Sequence, residues 1–115
     1  HLQFFKGKSL DGSAPMGPCI VTADELPDPT VLGLRLRVNG ETRQDSSVSD
    51  LIFDIPTTLA VLSQGQTVEA GTIISTGTPS GVGMGMTPPN YLKDGDVVEA
   101  EIDQIGVLRN TIVAV

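Results

Sequence analysis

The chain has 115 residues, the size of one domain, and its 39% apolar content places it among soluble globular chains with a modest core. Its net charge of −7, with seven Lys and Arg scattered along the chain, argues against nucleic acid and anionic membranes as partners. No run approaches the roughly 20 apolar residues of a membrane span. The one cysteine, Cys19, has no partner for an internal disulfide, which fits a reducing compartment. The chain opens at His1 without a methionine, which fits a piece of a longer polypeptide.

Residues 3–18 are an irregular stretch in which Gly, Pro and Ser recur too often for a regular element. Cys19-Ile20-Val21-Thr22 is short and β-favouring, and Asp24 to Pro29 is an acidic, proline-broken connection expected at the surface. From Leu32 to Gln44 the pattern is clearest. Leu34, Leu36 and Val38 alternate with Arg35, Arg37 and Asn39, and Asn39-Gly40 is a strong hairpin signal because a type I′ turn needs positive φ at both central residues. Glu41 to Gln44 returns as the partner strand, with one apolar face and one wet face. Ser46 to Asp50 reads as a polar link.

Asp54 is placed to cap a helix with Pro56 in its first turn. Ile55, Leu59 and Leu62 share one face of that helix, predicted near 55–64, and Gly65 suits the C′ position. Glu69-Ala70-Gly71 turns the chain into Thr72-Ile73-Ile74-Ser75, predicted as a buried strand. Thr76 to Gly85 follows, with four glycines and a proline in ten residues. That composition excludes a regular helix or long strand, and it leaves backbone N–H groups uncovered. Such a loop, carrying Thr76, Thr78 and Ser80, serves either as an anion or carbonyl site or as a plain surface turn. Lys93 to Asp96 is another turn, and Val97–Ile102 and Val107–Val113 read as strands with Gly106 between them. The order is β-rich α+β, without βαβ alternation.

Several motifs fail. Gly7-Lys8-Ser9 resembles the end of a P-loop, but the glycine required five residues earlier is Leu2. Gly81-Val82-Gly83-Met84-Gly85 does not give G-x-G-x-x-G, and no βαβ unit surrounds it. The only histidine, His1, is terminal, so a Ser-His-Asp or Cys-His arrangement would have to run through it. Cys19 is expected to be a buried small residue rather than a nucleophile. Glu99, Glu101 and Asp103 share a strand face about 7 Å apart, which a hard cation could use. A solvated face opposite Val98, Ala100 and Ile102 is the expected reading in so acidic a chain. Lys8, among small neighbours that cannot cover it, either offers a positive charge to a carboxylate or enolate oxygen or is a solvated surface lysine.

Taken together, five stretches resemble one family. They are Gln3 to Gly12 with Pro15-Met16-Gly17-Pro18; Val38-Asn39-Gly40-Glu41 with Arg43-Gln44-Asp45 and Ser49-Asp50; Thr76 to Gly83; Leu92 to Glu99; and Ile105 to Asn110. In order and separation they are similar to the C-terminal part of the catalytic domain of the fumarylacetoacetate hydrolase family, over nearly the whole chain.

The resemblance implies a mixed-sheet, β-roll or barrel-like α+β fold, with residues 1–115 forming the C-terminal portion of one catalytic domain whose upstream part lies outside this chain. It implies an enzyme that hydrolyses a C–C bond in, decarboxylates or isomerises small 2-oxo, 1,3-diketo or enol acids. In that family Mg²⁺ or Mn²⁺ is held by two glutamates and an aspartate and stabilises an enolate, and in the hydrolases a His–Glu pair activates water. Those groups fall upstream of Gln3, so Glu99, Glu101 and Asp103 are not assigned to the metal. The family's active-site lysine falls on Lys8. Its substrate-binding loop falls on Gly77 and Thr78. A homodimer in the cytoplasm, or the mitochondrion of a eukaryote, is the implied state. A non-catalytic ligand-binding or oligomerisation module that keeps the fold is the alternative. Three Phe, one Tyr and no Trp leave few large core residues, which also favours pairing with a further segment or a second copy.

Overall fold

A computed structural model describes residues 5–114. Its framework is a four-stranded sheet built from β1 (Gly33–Val38), β2 (Glu41–Ser47), β3 (Val97–Ile102) and β4 (Gly106–Thr111), with one helix, α1 (Ile55–Leu62). The spatial order is β2-β1-β3-β4 and every pairing is antiparallel. The α+β class and the single short helix agree with the sequence. Among the described residues the expected mixed, barrel-like sheet is instead antiparallel and not closed into a barrel. Among the described residues no helix is long and apolar enough to cross a membrane.

The hairpin forms where Asn39-Gly40 predicts it, with φ of 52° and 82° at the two residues. Asn39 does more than turn the chain. Its side-chain amide donates to Asp96 Oδ1 at 2.9 Å, and its amide oxygen accepts from the Val97 N–H at 2.9 Å. The tip of the first hairpin is thereby fixed to the start of β3.

Alternation sorts the two faces of the sheet. Leu34, Leu36 and Val38 lie opposite Ile102, Ala100 and Val98, forming the apolar face. On the other face Arg35 and Arg37 lie opposite Glu101 and Glu99, and Glu99 lies opposite Arg109. The Arg37 guanidinium reaches Glu101 at 2.7 Å, and Arg35 reaches Asp103 at 3.1 Å. Directly opposed unlike charges stabilise a ladder by about 0.2–1 kcal/mol per pair.

β2 carries one irregularity that matters for the rest of the molecule. Its register against β1 steps from Leu36↔Gln44 to Arg37↔Thr42, leaving Arg43 as an extra residue. This is a β-bulge, a device that re-aims side chains. β2 also runs on to Ser47 through the stretch expected as a link. A short 3₁₀ turn, Val48–Asp50, closes it, where Asp50 accepts from the Ser46 hydroxyl and the Ser47 N–H.

The helix is capped as predicted: Asp54 accepts from the Thr57 N–H at 2.7 Å, and Pro56 occupies the first turn. Gly65 has φ of 73°, two residues past the C-cap Ser63 rather than at C′. The less exposed side is Ile55, Thr58 and Leu62, while Leu59 is open to solvent. Two expectations fail. Thr72–Ser75 forms no strand, because no described strand lies alongside to pair with it, and Ile73 is 69% exposed. Cys19–Thr22 is also without a ladder, and Cys19 is exposed rather than buried, its thiol 3.7 Å from the Ile105 carbonyl oxygen. Among the described residues the buried set is small: Leu32, Val38 and, unusually, Gln44.

Candidate functional site

The glycine-rich stretch lies beside β2 as a loop that ends in a short 3₁₀ turn, Gly83–Gly85, and β2 holds it through two side chains. Gln44, only 8% exposed, donates from Nε2 to the Thr78 hydroxyl oxygen at 2.9 Å and to the Pro79 carbonyl at 2.8 Å. Arg43, brought towards the same loop by the bulge, reaches the Met86 sulfur at 3.0 Å. With the Asn90 amide oxygen turned towards it, both guanidinium Nη atoms are 2.8 Å from that oxygen. The Arg43 Nε is buried and has no partner among the described residues. Gly81 and Gly83 allow this close approach: a Cβ on either would meet a backbone oxygen, that of Arg43 or of Asn90.

Between this loop and the chain from Ser46 to Phe53 lies an open cleft of about 590 Å³. Thr76, Gly77, Thr78 and Ser80 form one wall, and Ser46, Ser47 and Asp50 contribute polar groups from the other. Gly77 has φ of 108°, a conformation that suits glycine, and nothing lies close to its Cα on the side where a Cβ would stand. Hydroxyls, backbone and an open approach therefore face the cleft, and such groups can hydrogen-bond oxygen atoms. Asp50 is held below the usual carboxylate range, first by the Ser46 hydroxyl and then by the Ser47 N–H.

Lys8 ends a 3₁₀ turn, Lys6–Lys8, whose Lys8 N–H donates to the Phe5 carbonyl at 3.1 Å. It is exposed and makes no ion pair among the described residues. Lys8 lines a second, neighbouring depression with Gly81, Arg43 and Gln44, whereas Gly77 and Thr78 line the cleft. The structure thus places Gly77 and Thr78 in the cleft and Lys8 in the neighbouring depression, which Gln44 also lines. His1, like Gln3 and Phe4, lies outside the described residues.

Glu99, Glu101 and Asp103 occupy the charged face of the sheet, each paired with an arginine. Among the described residues no group of three His, Cys, Asp or Glu side chains could hold a metal ion. The residues missed by sequence reasoning are Arg43 and Gln44 in their loop-holding role, and Asn90. Two long polar side chains side by side on a strand with an apolar face are the only local hint.

The fold is that of a known class. Residues 1–113 match the family described as Fumarylacetoacetate (FAA) hydrolase C-terminal, and the chain belongs to that family. It is 54% identical over 112 residues to the oxaloacetate tautomerase YisK of Bacillus subtilis strain 168, covering 97% of this chain and 37% of that protein. Its structure is similar to that of a fumarylacetoacetate hydrolase from the psychrophile Exiguobacterium antarcticum, with a TM-score of 0.95 and 52% identity, over 100% of this chain and 41% of that one. It is also similar to maleylpyruvate hydrolase from Sphingobium sp. SYK-6 in complex with manganese(II) and pyruvate. There the TM-score is 0.82 at 40% identity, over 92% of this chain and 38% of the other. The chain spans about two fifths of the length of these relatives.

Proposed function

We propose that these residues are the C-terminal portion of a catalytic domain that acts on small 2-oxo, 1,3-diketo or enol acids, by C–C bond hydrolysis, decarboxylation or keto–enol isomerisation. The observation that carries the reading is the Thr76–Ser80 loop, an uncovered hydroxyl-bearing wall held on the sheet by Gln44. It occurs in a chain whose relatives include a tautomerase of oxaloacetate and a hydrolase of maleylpyruvate.

The three reactions share one electronic demand. Electron density moves from a breaking C–C or C–H bond onto a carbonyl oxygen, and that oxygen needs positive charge or hydrogen-bond donors in place beforehand. Lys8 supplies a charge, and Thr78 and the backbone N–H groups beside Gly77 supply donors for a carboxylate. An oxo-diacid has polar groups at both ends and so can address both depressions. A resident Mg²⁺ or Mn²⁺ would act as Lewis acid towards such an acid. The carboxylates described here do not fit that role, since Glu99, Glu101 and Asp103 are engaged by Arg35, Arg37 and Arg109. The metal ligands are therefore assigned outside this stretch.

The working form is read as a homodimer in the cytoplasm. Ile52, Phe53, Ile73 and Val61 are well exposed, which favours a covering surface from the rest of the polypeptide or a second copy. Titrating Mn²⁺ and Mg²⁺ into the full-length polypeptide, with oxaloacetate enolisation followed by ultraviolet absorbance, tests the reading. Metal-dependent turnover is expected. Failure to bind either ion would favour the non-catalytic module instead.

A further inference from the structure

We propose that Gln44 is a positioning residue that sets the direction of the Thr78 hydroxyl proton, turning it into the cleft as a donor to a ligand carboxylate. The inference rests on the reading of Thr78 as a ligand contact, and adds to it the residue that decides which way that contact is polarised.

The Pro79 carbonyl fixes which way the Gln44 amide faces. A carbonyl oxygen only accepts, so the group of Gln44 that lies 2.8 Å from it must be the amide nitrogen. The same nitrogen is 2.9 Å from Thr78 Oγ1. An amide nitrogen has two protons and no accepting capacity here, so one proton goes to each oxygen. The Thr78 hydroxyl is consequently an acceptor towards Gln44, and its own single proton must find an acceptor elsewhere. No such acceptor is present among the described residues. Thr78 is exposed on the cleft wall with Thr76, Gly77 and Ser80, so that proton is available to a ligand. A carboxylate, which only accepts, is the matching chemistry.

Gln44 is suited to hold this polarity. It is buried against the apolar face, opposite Leu36, where water does not compete for its protons. The bulge at Arg43 fixes its aim, and Arg43 ties the following part of the loop to the same strand. A glutamate at position 44 would keep the shape and reverse the logic. Ionised, it only accepts; it would draw the Thr78 proton away from the cleft.

The test is the affinity of the full-length, Mn²⁺-loaded protein for pyruvate, measured by calorimetry from pH 8 down to pH 5. Wild type, Thr78→Val, Gln44→Glu and the double variant are compared as ratios to wild type at each pH. At pH 8 both single variants are expected to bind roughly tenfold or more weakly, the scale of a hydrogen bond to a charged group. The double variant should lose no more than the worse single one, because both changes remove the same donor. As pH falls, Gln44→Glu should recover while Thr78→Val does not, since a protonated carboxyl can again donate. Losses that add, or a Gln44→Glu deficit that ignores pH, would show that Gln44 only supports the loop and would overturn the proposal. So would a Gln44→Glu protein of wild-type affinity alongside a weakened Thr78→Val. An unaffected Thr78→Val would remove the underlying reading of Thr78 as well. Should Gln44→Glu not fold, Gln44→Met removes the donor at similar volume, and wild-type pyruvate affinity in that variant also overturns the proposal.

Discussion

Gly81 meets the main chain of Arg43 so closely that a Cβ at position 81 would run into the Arg43 carbonyl oxygen. Loop and strand touch backbone to backbone at this point, one residue before Gln44 takes hold of Thr78 and Pro79. The contact explains why the loop needs glycine here. The position has φ of 103°, outside the range that residues with a Cβ adopt readily, and the space is already filled by main chain that cannot swing aside.

Gly81→Ala should therefore cost stability and disturb the site together. Forcing atoms into a filled contact costs roughly 1–3 kcal/mol, and the conformation adds to that. Gly85→Ala is the control, since the nearest atom to its Cβ is the Val82 side chain at 3.6 Å, an ordinary contact, and its φ is not positive. Urea unfolding midpoints should fall clearly for the first and little for the second. Equal midpoints for both would show that the loop can retreat from β2.

Asn39 makes a prediction with two separable parts. It tolerates positive φ better than most residues, and its side chain bridges Asp96 and the Val97 N–H. Asn39→Gly keeps the turn and loses the bridge, at roughly 1 kcal/mol for each hydrogen bond. Asn39→Ala loses both, adding about 1–2 kcal/mol for the left-handed conformation. Chemical denaturation should rank wild type, then glycine, then alanine. A glycine variant as stable as wild type would show that the bridge contributes nothing.

Much of the sheet was legible in the sequence because its signals are local. Asn39-Gly40 names its turn, alternation sorts Leu34, Leu36 and Val38 from Arg35 and Arg37, and Asp54 with Pro56 starts the helix. The failures are equally physical. Ile73 and Ile74 are β-branched, but a strand needs a neighbour, and none of the described strands lies beside them. Cys19 is small and apolar, yet it sits on an exposed stretch. The bulge is the most consequential omission. Strict alternation through Thr42-Arg43-Gln44 sends Arg43 and Gln44 to opposite faces, whereas one inserted residue brings both to the loop. Nothing in three adjacent polar residues announces that insertion. The loop's composition suggested a ligand site from the outset, but not that β2 would be what holds it.

Strong acid should loosen the turns that Asp96 and Asp54 hold. The Asp96 carboxyl is held below its ordinary value, first by the Asn39 amide and then by the Lys93 N–H, and Asp54 is lowered by Thr57 in the same way. A carboxylate whose folded pKa lies below its unfolded value, about 3.9 for Asp, stabilises the fold above that value. The contribution is lost as pH falls through the folded pKa. Stability from these groups is thus flat from about pH 5 to 8 and declines below about pH 4. Asp96→Asn should show a shallower acid limb in urea midpoints measured against pH. Superimposable acid limbs would mean that Asp96 is not linked to folding.

Lys8 offers the sharpest test of the chemistry because it carries so little structure. It is exposed and forms no ion pair among the described residues, so Lys8→Ala should leave the melting temperature of the full-length protein within a degree or two. Metal affinity should also hold, since an ammonium group is not a ligand for Mg²⁺ or Mn²⁺. If Lys8 places positive charge against the oxygen that becomes an enolate, kcat should fall by roughly 10²–10³, the scale for removing one preorganised donor. KM should change less, because the interaction strengthens as charge develops on that oxygen. Lys8→Arg keeps the charge but changes its shape and reach, so partial activity is expected. Turnover unchanged in Lys8→Ala, with melting and metal binding also unchanged, would return Lys8 to the status of a solvated surface lysine. The chemistry would then be left to groups beyond these residues.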